Sequence, residues 1–157
     1  MQRRKKRMLA AASMVAALAL WCELGAPLTM PLPGSRLYST FGAPRSGGRT
    51  HEGVDIFAAR GTPIRAATWG VVVWRGELSL GGRVLYVFGR RGMLTYYAHL
   101  HRWADVHPGD WIAEGEVLGY VGQTGNARTT PPHLHFETHP LSRLLAARDP
   151  VEVIGAP

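Results

Sequence analysis

The sequence predicts an all-β fold, one antiparallel β domain over residues 37–157. Three observations carry that expectation. Past residue 36 the apolar residues come in runs of eight or fewer, and β-branched and aromatic side chains dominate them. Glycine and proline separate the runs. The totals, 19 Gly and 11 Pro, are more than a helical bundle tolerates. A length of 157 residues bounds the chain to one sizeable core.

The first segment stands apart. Residues 3–7 are all basic, and residues 8–22 (M-L-A-A-A-S-M-V-A-A-L-A-L-W-C) carry no charge. That order matches the basic head and apolar stretch of a secretory signal. As a helix the stretch would span about 22 Å against a hydrocarbon core of about 30 Å, which favours a cleaved signal peptide over a short membrane anchor. Ala17-Leu18-Ala19 offers a small-x-small cleavage site. Cys22 invites a lipoprotein reading, but Trp21 before it is bulky. As the only cysteine, Cys22 also excludes an intramolecular disulfide. The positive head predicts export, so that the domain lies across the inner membrane in the periplasm or cell envelope. Residues 23–36, with Pro27, Pro31, Pro33 and Gly34, read as a linker.

Strands are expected at 70–74, 83–88, 93–99, 111–112 and 117–121. Gly81-Gly82 and Arg91-Gly92 fit hairpin turns. The close glycines from Gly109 to Gly125 suit tight antiparallel corners. A helical pattern occurs at 141–148, stopped by Pro150.

The net charge of +7 does not mark a nucleic-acid binder. Past residue 22, 13 arginines face 11 acids, with no basic cluster beyond pairs such as Arg90-Arg91.

The histidines carry the chemistry. All seven lie at residue 51 or later. In an extended strand His133, His135 and Glu137 share one face, while Leu134 and Phe136 face the core. His51 and Asp55 share a face likewise, with Gly53 permitting close approach of another group. A catalytic zinc site needs three N or O ligands and an open position. His51, Asp55 and one histidine of the His-Leu-His pair supply that set, and the other could serve in acid–base chemistry. His101, His107 and His139 read as ordinary surface or satisfied residues. His51-Glu52-Gly53-Val54-Asp55 is one residue away from the helical H-E-x-x-H motif. That motif would make Glu52 a general base, but Gly53, Gly61 and Pro63 disfavour a helix there. Trp69, Trp74, Trp103 and Trp111 read as core or hairpin residues rather than sugar platforms.

Three stretches carry a resemblance: 48–67 (G-R-T-H-E-G-V-D-I-F-A-A-R-G-T-P-I-R-A-A), 96–100 (Y-Y-A-H-L) and 121–137 (V-G-Q-T-G-N-A-R-T-T-P-P-H-L-H-F-E). Together they resemble the signatures of the lysostaphin/LytM-type zinc metallopeptidases, over about residues 37–155 and in the family's order. The resemblance implies a compact antiparallel domain with its active site in a groove. It also implies a zinc-dependent endopeptidase that hydrolyses peptide cross-links of bacterial peptidoglycan through zinc-activated water. By position it makes His51, Asp55 and His135 the zinc ligands, and His99 and His133 the catalytic histidines. The expected target is a D,D bond where the wall is thin and directly cross-linked; a glycine bridge is the alternative. Every position of the motif is filled, which speaks against a non-catalytic cell-wall-binding or amidase-activating module of the same fold. One departure is Thr129-Thr130-Pro131-Pro132, where many relatives have Ser/Thr-Gly before the Pro-His-Leu-His motif. Arg45, Arg49 and Arg128 are candidates for gripping peptide-stem carboxylates. Nothing in the sequence reports on oligomeric state.

Overall fold

A computed structural model describes residues 27–143 and 145–155. The signal or anchor expected at 1–22 lies outside them. Among the described residues no helix is long and apolar enough to cross a membrane. The strands are β1 (Gly53–Phe57), β2 (Pro63–Arg65), β3 (Gly70–Leu78), β4 (Gly82–Gly89), β5 (Met93–Leu100), β6 (Arg102–Trp103), β7 (Trp111–Ile112), β8 (Val117–Tyr120) and β9 (His133–Pro140). They form a six-stranded sheet in the order β1-β9-β5-β4-β3-β7 and a three-stranded sheet in the order β2-β8-β6. Every pairing between them is antiparallel. The all-β expectation is met.

The period-two pattern decides what each face of the large sheet does. Val54, Ile56, Leu134, Phe136, Tyr97, Leu85, Val87 and Val72 are all buried and turn to one side. There they join Ile64 and Leu118 of the small sheet in one core. The register Val54↔Phe136↔Tyr97↔Leu85 keeps that stripe continuous across four strands. The intervening residues therefore face outward. Asp55 sits opposite His135, and Gly53 opposite Glu137. Gly53 answers a specific demand, because a Cβ there would lie 2.3 Å from the Phe136 carbonyl oxygen and 2.8 Å from Glu137 Cγ. The chain turns from β3 into β4 at Gly82, whose φ of +64° suits glycine. A bulge between Val72 and Trp74 in β3 aims Trp74 beside Tyr86 on the outward face.

Two expectations need correction. Part of the segment read as a linker packs into the body of the protein. Leu28 and Leu32 are fully buried in the core, and Leu28 bridges Ile154. The prolines that suggested a linker serve an irregular but packed path. Among the described residues of 141–148 no α-helix forms. A single 3-10 turn, Leu141–Arg143, is followed by Leu145 at φ +63°, a left-handed residue that no helix accommodates. Among the four tryptophans of the domain, only Trp103 packs against the core. Trp69, Trp74 and Trp111 are exposed, Trp74 lying in the β3–β4 hairpin, and Trp69 stacks on Trp111 at 5.4 Å.

Candidate active site

The outward face of β1, β5 and β9 forms the floor of a groove of about 1020 Å³, walled by loops 44–52, 78–81 and 126–131. Antiparallel register brings residues far apart in sequence onto this floor. Asp55 faces His135 across the β1–β9 pair. His51 precedes β1, held by mutual backbone bonds with Gly42 and Ala43 (2.8 and 2.9 Å). His133 lies two residues before His135 on the same strand face. His99 reaches the groove from β5 through a left-handed backbone, φ +63°. Such a conformation is unfavourable for a β-carbon residue and marks a place where the fold overrides local preference.

The ring nitrogens are sorted by their partners. His51 Nδ1 donates to the Thr40 carbonyl (2.9 Å), His99 Nδ1 to the Thr124 carbonyl (2.9 Å) and His133 Nδ1 to the Pro131 carbonyl (2.9 Å). A carbonyl only accepts, so each of these rings carries a proton on Nδ1 and has Nε2 left for chemistry. His135 is arranged the other way round. Its Nε2 donates to Glu137 Oε1 (2.7 Å), and its Nδ1 turns inward.

The inward atoms converge. His51 Nε2 and His135 Nδ1 are 2.8 Å apart, His135 Nδ1 and Asp55 Oδ1 3.0 Å, and His51 Nε2 and Asp55 Oδ1 3.1 Å. Three lone-pair atoms aimed at one point require a positive charge among them. A proton is the simplest one. Burial alone would push the His135 imidazole down, but the bonds to Asp55 and Glu137 outweigh it and hold it up to about 9. Burial likewise opposes ionisation of Asp55, yet His135, His51 and Arg45 hold its carboxyl far below the usual range. A divalent cation is the other solution, and two imidazole nitrogens with one carboxylate oxygen are a donor set that zinc accepts. The residues present therefore fit such an ion.

His99 and His133 stand beside this cluster. Their rings are 4.9 Å apart edge to face, and His133 Nε2 is 3.9 Å from Asp55 Oδ1. Burial, then the neighbouring His133 and His135, lower the His99 imidazole to about 4. It is a neutral base at physiological pH. All five residues singled out by the sequence thus meet at one place.

The arginines divide. Arg45 lines the groove and its guanidinium donates to Asp55 Oδ2 (2.6 Å). Arg49 lines the groove, holding the Ser46 carbonyl (3.2 Å). Arg128 is exposed but outside the groove lining. Glu52 lies on irregular chain just ahead of β1, so the helical zinc motif has no helix to stand on. Sequence reasoning gave no role to Thr40, Thr124 and Pro131, whose contributions are backbone carbonyls and leave no mark on residue type. It also gave none to Glu137, whose two-residue spacing from His135 in a strand was a usable signal.

The model of Peptidase family M23 matches residues 49–147. The DD-carboxypeptidase/endopeptidase Mpg of Neisseria meningitidis serogroup B is 39% identical over 89 residues, covering 57% of this chain and 20% of that protein. The L-Ala--D-Glu endopeptidase of Bacillus subtilis is 37% identical over 117 residues, covering 68% of this chain and 36% of that protein. Among solved structures, the catalytic domain of lysostaphin from Staphylococcus simulans superposes with a TM-score of 0.66 at 31% identity, covering 77% of this chain and 92% of that one. The chain thus spans only a fifth to about a third of the length of these two full-length relatives. The family match itself extends over well more than half of the chain, which therefore belongs to peptidase family M23.

Proposed function

We propose that this protein is a zinc-dependent endopeptidase that hydrolyses peptide cross-links of bacterial peptidoglycan, with a D,D bond as its target. One observation carries the reading: the inward atoms of His51, Asp55 and His135 lie within 3.1 Å of one another, beside two further histidines. The similarity to Mpg and to lysostaphin supports a wall peptide as substrate.

In this reading His51, Asp55 and His135 hold zinc. When bound, zinc supplies a Lewis acid that polarises a carbonyl and brings the pKa of water down to about 7. His99 and His133 handle the proton. Both are anchored through Nδ1 on a carbonyl, and one of them accepts the proton at Nε2 as water attacks the scissile amide and returns it to the leaving amine. Protonated, the same Nε2 donates a hydrogen bond to the oxyanion. Pinning both rings through the backbone keeps them in place without further ordering at the moment of reaction. Arg45 and Arg49 are the groove-lining arginines available to a stem carboxylate. Residues 1–22 serve as an export signal or short anchor, delivering the domain to the periplasm.

The decisive experiment incubates the protein and zinc with purified cross-linked muropeptides. New amino termini should appear at the D,D cross-link, and His51→Ala should produce none. Intact dimers after prolonged incubation with zinc-loaded protein would refute the reading. Parallel digests of a pentaglycine bridge and of an uncross-linked L-Ala–D-Glu stem separate the D,D bond from its alternatives.

A further inference from the structure

β9 presents His133, His135, Glu137 and His139 on one face, each two residues from the next. The proposed mechanism uses the first two. We infer that Glu137 is a positioning residue that fixes His135 as a ligand, and that His139 in turn fixes Glu137. This inference rests on the reading of His51, Asp55 and His135 as a metal centre.

Both oxygens of Glu137 are engaged. Oε1 accepts from His135 Nε2 (2.7 Å), and Oε2 accepts from His139 Nε2 (2.7 Å). His139 Nδ1 donates onward to the Leu145 carbonyl (2.9 Å). The three side chains are largely covered, at 13%, 14% and 15% exposure. An exposed ion pair contributes little, but a covered carboxylate held from both sides has one geometry available.

The consequence is chemical. A neutral imidazole carries its proton on either nitrogen, and only an unprotonated Nδ1 on His135 can point a lone pair at the cluster. Glu137 resolves that choice by accepting from Nε2. Histidines that ligate metals commonly donate their second nitrogen to a carboxylate, and loss of that partner costs on the order of 10–100-fold in metal affinity or activity. The other inward donors are served differently: His51 by the Thr40 carbonyl and Asp55 by Arg45. Only His135 relies on a carboxylate.

Two backbone features build the device. Gly53 leaves room for the Glu137 side chain, since a Cβ there would lie 2.8 Å from Glu137 Cγ. The turn after β9 folds back, with the Leu145 amide on the Pro140 carbonyl (3.1 Å) and Leu145 at φ +63°. That turn carries the Leu145 carbonyl to His139, which explains why the segment is not the helix its sequence suggests.

The test measures zinc affinity by chelator competition on the full protein, with the electronic spectrum of the cobalt-substituted form as a second readout. Glu137→Ala should weaken zinc binding by about 10–100-fold and alter the cobalt bands. Glu137→Gln keeps the volume and an acceptor oxygen, so its loss should be smaller; it also replaces Glu137→Ala as the test if the latter fails to fold. His139→Ala should cost several-fold alone, and nothing further in a Glu137→Ala background, because its effect runs through Glu137. Wild-type zinc affinity and an unchanged cobalt spectrum in both Glu137 variants would overturn the inference while leaving the metal centre standing. A wild-type protein that binds no zinc would remove the centre itself, and the inference with it.

Discussion

His51, His99 and His133 each commit Nδ1 to a backbone carbonyl, from Thr40, Thr124 and Pro131. Backbone anchoring fixes the tautomer without a second titratable group, so each ring offers Nε2. The division of labour between ligands and proton carriers gives a direct prediction. His133→Ala should retain zinc while losing about 10²–10⁴-fold in kcat, since a positioned acid–base group contributes that much. Metal analysis beside turnover on the same preparation checks it, and joint loss of metal and activity would instead make His133 a ligand. At this scale the sequence was informative where period two applies. H-x-H on a strand and H-x-x-x-D across an extended segment place side chains on known faces. His99 was not readable from spacing, because its placement depends on a left-handed backbone. The pairing of Arg45 with Asp55 ten residues away was not readable either, since it runs through a loop fold that no periodicity encodes.

Register does the positioning at the scale of elements. β1 and β9 pair so that Asp55 meets His135 and Gly53 meets Glu137. A slip of one residue would send the whole polar set into the core. β5 secures β9 from the other side, and Tyr97 locks β5 into the core. The Tyr97 hydroxyl accepts from the Ala67 amide (2.9 Å), and burial pushes the phenol up to about 12 from an ordinary 10. The folded state therefore keeps a proton that the unfolded chain releases. Stability should be unaffected by this group below pH 10, and should fall between pH 10 and about 12 by on the order of 2–3 kcal/mol. Urea denaturation across that range measures it, and Tyr97→Phe should flatten the slope. That variant also leaves the Ala67 amide unpaired, at a cost of about 1–3 kcal/mol at every pH. The long strands were legible because β-branched and aromatic runs alternate between faces. β2 and β6 were not among the strands expected from the sequence. The pattern at 141–148 misled because its apolar spacing is helical, while the chain must turn back at Leu145 to reach β9.

The whole molecule is two antiparallel sheets sharing a core, with the polar floor of the large sheet left open as the groove. The N-terminal stretch of the described chain completes that core. Leu28 and Leu32 are fully buried, and residues Leu28 and Ile154 bring the two ends of the domain together. Burying each leucine is worth about 1.5–3 kcal/mol. A protein starting at residue 37 should therefore melt at least ~10 °C below one starting at residue 24, as calorimetry would show. Equal melting temperatures would restore 23–36 as a linker. The sequence hid this because prolines at 27, 31 and 33 look alike in a free tether and in a packed irregular segment. The central claim, that His51, Asp55 and His135 together form a metal centre, is tested most directly by zinc retained per chain after dialysis. Wild type should keep one equivalent and His51→Ala none; a His51→Ala protein that still keeps one equivalent would contradict it.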